Sequence, residues 1–152
     1  MPDDMAILSI ISKAIYIAAI GQFVLIIASL AIPSTLNWKS DTAKLRPLTR
    51  QVFWTYAAYI WVTNLSFAII SLKPNYLLDH SPLASAVTAF IAIYWLGRIC
   101  IQFFYFDRSD APSGWHFKIA EIGLVLLFTF LSITYSAAFL FNTGLIGVSI
   151  TP

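Results

Sequence analysis

The chain has 152 residues, of which 59% are hydrophobic and 11% charged, with a net charge of +2 and a single cysteine. A soluble domain carries roughly 25% charged residues, so this chain has too little charge to cover a globule in water. Composition excludes a free soluble enzyme, a disordered linker and a nucleic-acid-binding domain. Cys100 alone excludes a disulfide framework or a multi-thiolate metal site.

A bilayer core of roughly 30 Å is crossed by about 20 apolar residues in helical form. Backbone groups find no aqueous partner there, so helix is the expected conformation. The first span runs over 5–32 and is stopped by Pro33. The second covers 51–72 and closes at Lys73-Pro74. The third covers 83–106, entered through Ser81-Pro82 and left at Asp107. The fourth covers 117–141, with Asn142-Thr143-Gly144 as its C-cap. The expected fold class is all-α: a single domain over 1–152, a polytopic four-helix transmembrane bundle with a basic interfacial loop between helices 1 and 2. No internal repeat or low-complexity tract interrupts it.

Charge placement sets the expected orientation. Lys39, Lys44, Arg46 and Arg50 lie between helices 1 and 2, and Arg108 and Lys118 between helices 3 and 4. The opposite side has only Lys73, with Lys13 snorkelling toward Asp3 and Asp4. By the positive-inside rule both termini lie outside the cytoplasm, in what is expected to be a bacterial inner membrane. The acidic start and the long apolar run mark helix 1 as a span rather than a signal peptide. The segment from Pro33 to Arg50 mixes Leu36, Trp38, Leu45 and Leu48 with cations and hydroxyls. It is expected to lie on the anionic leaflet.

Polar residues at membrane depth are costly and become candidates for function. Gln22 and Asn64 fall near the midplane of their spans. Arg98, Gln102 and Glu121 fall in the cytoplasmic half of helices 3 and 4. Arg98 and Glu121 are the expected ion pair, with Gln102 at i+4 from Arg98 completing the cluster. Two readings stay open: an interhelical lock, or a grip on a quinone, a lipid headgroup or a proton path. Trp38, Trp54 and Trp115 suit an aromatic belt, whereas Trp61 and Trp95 lie inside their spans and require partners for their N–H groups. Small residues Ala14, Ala18, Ser85, Ala89 and Gly97 allow close helix approach.

His80 and His116 fall on opposite sides, so no metal site and no bis-histidine haem is expected. Cys100 is expected to pack inertly, and Ser132, Thr134 and Ser136 to bond backbone or neighbouring helices. No catalytic constellation is present, and the spans lack the prolines and midplane charges of a transporter.

The run Leu36-Asn37-Trp38-Lys39, with Leu45, Leu48 and Arg50-Gln51-Val52-Phe53-Trp54-Thr55-Tyr56, forms one recognisable block. Phe90-Ile91-Ala92, Trp95, Arg98, Gln102-Phe103-Phe104 and Phe106-Asp107 form another. Together they resemble a group of small bacterial four-helix integral membrane proteins of uncharacterised activity. The resemblance covers most of the chain. It implies the architecture and the positions of Trp54 and Arg98, and no activity. That pattern has histidines near the places of Gln22 and Glu121; this chain has neither, so no cofactor is carried over.

The expected function is a non-catalytic accessory subunit of a larger inner-membrane complex, respiratory or photosynthetic, with membrane lipid and other membrane subunits as partners and no nucleic acid. It has no cofactor of its own, with contact to lipid, quinone or a neighbour's pigment. The alternative is a small enzyme or carrier binding a quinone or lipid between helices 3 and 4, lined by Arg98, Gln102, Glu121, Trp95 and Trp61. A weaker option is an assembly factor docking through the basic loop. The apolar tail over 145–152 is expected to contact a neighbour or the membrane surface.

Overall fold

The computed structural model describes residues 2–106 and 114–146, with side chains from residue 5 onward. Asp107, Arg108, the side chains of Asp3 and Asp4, and the tail over 147–152 lie outside the described residues. All regular elements among the described residues are helical: α1 (Pro2–Ser29), α2 (Ile32–Thr35), α3 (Trp38–Ala43), α4 (Pro47–Ser71), a 3-10 turn (Pro74–Leu77), α5 (Pro82–Phe104) and α6 (Trp115–Asn142). Four helices are long and apolar enough to cross a membrane, as an integral membrane protein requires.

Prolines explain most of the boundaries. α1 ends at Ser29, short of the expected stop. A proline at 33 offers no N–H to the carbonyl of residue 29, and its ring crowds that carbonyl. Pro33 instead sits in the first turn of α2, where the missing donor costs nothing. Asn37, at φ 51° and ψ 33°, supplies the left-handed residue that separates α2 from α3. Pro47 opens α4 one turn before the apolar run begins. Pro82 opens α5 beneath Ser81, whose hydroxyl accepts the Ala84 N–H at 3.0 Å.

α6 ends as expected from its sequence. Gly144 takes the left-handed conformation at φ 72°. The Leu145 N–H reaches the Leu140 carbonyl at 3.0 Å and the Gly144 N–H reaches the Phe141 carbonyl at 3.1 Å. This is a Schellman closure, and it satisfies carbonyls that the helix end would otherwise leave open.

α5 and α6 form the most extensive helix pair, and α1 lies against both α4 and α6. α4 and α5 barely approach at backbone level and meet through rings: Phe67 sits edge-on to Phe90 at 5.9 Å and to Tyr94 at 5.1 Å. The core gathers Ile15, Ala18, Leu77, Ile91, Trp95, Phe128, Leu131 and Tyr135. Lipid tails are as apolar as leucine, so close packing rather than transfer from water has to hold such helices together. Ala18, Ala92 and Ala138 are buried and suit that role. The closest approach marked by a glycine is at Gly21, where an added Cβ would stand 2.8 Å from Leu127 Cδ1. Gly97, one of the expected approach points, instead has nothing within 4 Å of its Cβ position.

The α2–α3 segment folds back on the start of α4. Trp38 meets Phe53 edge-on at 5.0 Å and Trp54 at 6.1 Å. Thr42 is buried, and its hydroxyl donates to the Trp38 carbonyl at 2.6 Å. With Lys39, Lys44 and Arg46, this segment makes its end of the bundle the basic end.

Candidate functional site

Two polar systems occupy the interior, one at the α5–α6 seam toward the basic end and one nearer the opposite end. In the first, Trp95 is 1% exposed and stacks on Phe128, centroids 5.4 Å apart. One turn further along α5, the Arg98 guanidinium lies over Phe128 at 5.7 Å and over Phe106 at 5.6 Å. Gln102 Nε2 donates to Glu121 Oε1 at 3.4 Å. The structure therefore brings Trp95, Arg98, Gln102 and Glu121 onto one seam.

It does not bring Arg98 and Glu121 together as an ion pair. Between described residues the one ion pair is Lys44–Asp41 at 3.4 Å, on the exposed surface of α3. The guanidinium lies over Phe128, and Glu121 lies seven residues back from Phe128, about 10 Å of helix along α6. Two aromatic faces give the cation a berth that replaces snorkelling toward the carboxylate.

Trp61 and Asn64 lie one turn apart on α4 and are half-buried. Trp61 Nε1, Asn64 Oδ1 and Trp95 Nε1 are buried polar atoms with no hydrogen-bond partner. The Tyr94 phenol lies close to the Asn64 amide and the Arg98 guanidinium. Native interiors leave few such atoms unmatched, so these three on α4 and α5 mark a candidate ligand site among the described residues.

The second system is a hydrogen-bond chain linking three helices. Gln22 Nε2 donates to the Ala18 carbonyl at 3.2 Å and to the Tyr135 hydroxyl at 2.7 Å. Tyr135 meets Ser71 Oγ at 2.5 Å, and Ser71 donates to the Phe67 carbonyl at 2.7 Å. Since Ser71 spends its proton on Phe67, Tyr135 is the donor to Ser71 and the acceptor from Gln22. Gln22, Tyr135 and Ser71 are all fully buried, and Gln22 Oε1 is left without a donor.

Gln22 was legible as a midplane amide, but its partners were not. Ser71 looks like a residue at the end of a span, and Tyr135 is one ring among many. The hydroxyl-rich run Ser132-Ile133-Thr134-Tyr135-Ser136 was the available signal. Within it, Ser132 bonds the Phe128 carbonyl at 2.8 Å.

Asn142 does more than close α6. Its side chain accepts the His80 N–H at 3.2 Å and donates to the Leu77 carbonyl at 2.8 Å, tying the α4–α5 connection to the end of α6. His80 itself adopts φ 57° and lays its ring on Phe141 at 4.5 Å. A groove of about 330 Å³, lined by Met5, Leu8, Ser9, Ser12, Asn75 and Leu78, opens at this end.

His116 lies edge-on to Trp115 and tilted against Phe117 at the start of α6, some 37 Å of helix from Phe141, so the two histidines serve opposite ends. Cys100 is exposed on α5 rather than packed against a neighbouring helix. No group of three metal-binding side chains forms among the described residues. The chain matches no protein-family model, no curated protein and no solved structure.

Proposed function

We propose that this protein is a non-catalytic accessory subunit of a larger inner-membrane complex, respiratory or photosynthetic in kind. In this reading both termini lie outside the cytoplasm, and α2–α3, with Lys39, Lys44, Arg46 and Arg50, rests on the cytoplasmic leaflet. The observation that carries it is α4. Its most apolar stretch has the lowest mean hydropathy of the four long helices, 1.2, and only 11% of that stretch is buried inside the chain. Thr55, Tyr56, Tyr59 and Ser66 stand exposed along it. Thr55 and Ser66 each return their proton to a carbonyl one turn back, Gln51 and Val62, at 2.9 Å. Small and hydroxylated residues on an uncovered membrane helix favour another helix over lipid tails.

The test is affinity purification of the tagged protein in a gentle detergent, with mass spectrometry and an absorption spectrum of the eluate. Stoichiometric membrane subunits are expected, with Tyr59→Leu or Ser66→Leu weakening their retention. A clean single protein from native membranes would overturn the assignment.

A second reading has its own support. The partnerless indoles of Trp61 and Trp95 favour a small enzyme or carrier that binds a quinone or lipid in the half of the molecule toward the basic end. Purified protein retaining one such molecule at unit stoichiometry would support it; protein free of both would count against it.

A further inference from the structure

We infer that the seam between α4 and α5, backed by Phe128 of α6, receives the head ring of a lipid-soluble quinone and its quinol; this rests on the second reading above. The unmatched atoms specify the ligand. An indole N–H is a donor only, and an amide oxygen an acceptor only. Trp61 Nε1 and Trp95 Nε1 therefore need acceptors, and Asn64 Oδ1 takes a donor, for which the neighbouring Tyr94 phenol competes with a ligand. A quinone carbonyl answers an indole. A quinol hydroxyl answers both kinds at once, accepting from Trp61 and donating to Asn64. Two oxygens at opposite ends of one ring suit a pair on α4 and a single indole on α5.

Level and walls agree with that ring. Phe67 touches both Phe90 and Tyr94, so in this antiparallel pair Asn64 falls level with Tyr94–Trp95 and Trp61 about one turn nearer the basic end. Tyr94, Trp95 and Phe128 supply flat aromatic surfaces. Gly97 has open space before it, and α4 and α5 barely touch as backbones, which leaves a lateral route for an isoprenoid tail.

A phospholipid phosphate fits less well. Trp95 lies nine residues from the end of α5, about 14 Å along the axis, close to the middle of a roughly 30 Å hydrocarbon core. Phosphates lie outside that core. Arg98, the nearby cation among the described residues, already rests on two aromatic rings.

The experiment titrates detergent-purified full-length protein with decylubiquinone and, separately, its reduced form, reading tryptophan fluorescence and thermal stabilisation. Trp61→Phe, Trp95→Phe and Asn64→Leu are compared with Trp115→Phe, each first shown monodisperse and helical. Saturable binding is expected, weakened about tenfold by Trp61→Phe and unchanged by Trp115→Phe. Asn64→Leu should weaken the quinol more than the quinone, because only the quinol donates. If Trp95→Phe does not fold, Trp61→Phe and Asn64→Leu suffice.

Linear quenching of equal slope in every variant means partition into the micelle and overturns the inference. Retention of phosphatidylglycerol in native mass spectrometry, lost in Arg98→Leu and without quinone binding, overturns the quinone while leaving a ligand site in place. Neither ligand binding overturns both.

Discussion

The Tyr135 hydroxyl accepts a hydrogen bond from Gln22 Nε2 at 2.7 Å, joining α6 to α1 in the interior of the protein. Tyr135 passes its own proton to Ser71 on α4, so one phenol binds three helices that are otherwise held by apolar contact. Its two partners are not equivalent. Removing Gln22 also removes the partnerless Oε1, whereas removing the phenol leaves a buried amide hydrogen with nothing to bond.

Tyr135→Phe is therefore expected to destabilise the protein by about 1 kcal/mol, and Gln22→Leu by less. The coupling in a double-mutant cycle should be near 0.6 kcal/mol and no more than about 1.7, the range seen for hydrogen bonds between membrane helices. Reversible unfolding in mixed micelles measures it. Equal losses in the two single variants would contradict the donor order assigned here.

Arg98 and Glu121 offer a contrasting cycle. A buried pair broken by removing one partner costs about 3–5 kcal/mol. Arg98 rests on Phe106 and Phe128 instead, so Arg98→Leu should cost about 1 kcal/mol, the scale of a cation–π contact. The cost should be the same in a Glu121→Gln background, with coupling under about 0.5 kcal/mol. A coupling of several kcal/mol would show the two charges meeting.

Glycines separate close from open helix surfaces. Gly123→Ala meets nothing within 4 Å and should stabilise by about 0.5–1 kcal/mol through helix propensity. Gly21→Ala should come out near zero, because the same gain is offset by pushing Leu127 aside. Gly21→Val should cost about 1–3 kcal/mol by overpacking. Thermal denaturation in detergent ranks the three.

The connection between α4 and α5 carries a pH dependence. The Asp79 carboxyl is held below its ordinary range by the Ser81 hydroxyl and by the Ser81 backbone N–H, which reaches it at 2.9 Å. A depressed folded value means that the contribution is present above the unfolded pKa and is lost as pH falls through the folded one. Hydrogen exchange at the Ser81 amide should accelerate, relative to neighbouring amides, below about pH 4. Asp79→Asn should remove that step; a step that persists would assign it to another group.

Segment length, hydropathy and punctuation by proline and glycine are properties of short stretches of chain, and they were enough for the four long helices. They also anticipated the Ser81-Pro82 start of α5 and the turn at Gly144. Even the stop of α1 at Ser29 follows from Pro33 once its lost donor is counted four residues back. Which side chains meet is another matter. Gln22, Ser71 and Tyr135 are separated along the chain by 49 and 64 residues and share an interior only because α1 lies against both α4 and α6. The choice of Arg98 between a carboxylate two turns away and two nearby rings depends on helix register. So does the placing of unmatched indoles and an amide at similar levels of α4 and α5. Periodicity tells each helix which residues share a face; rotation and depth against a neighbour are set by packing among all four, which no single segment encodes.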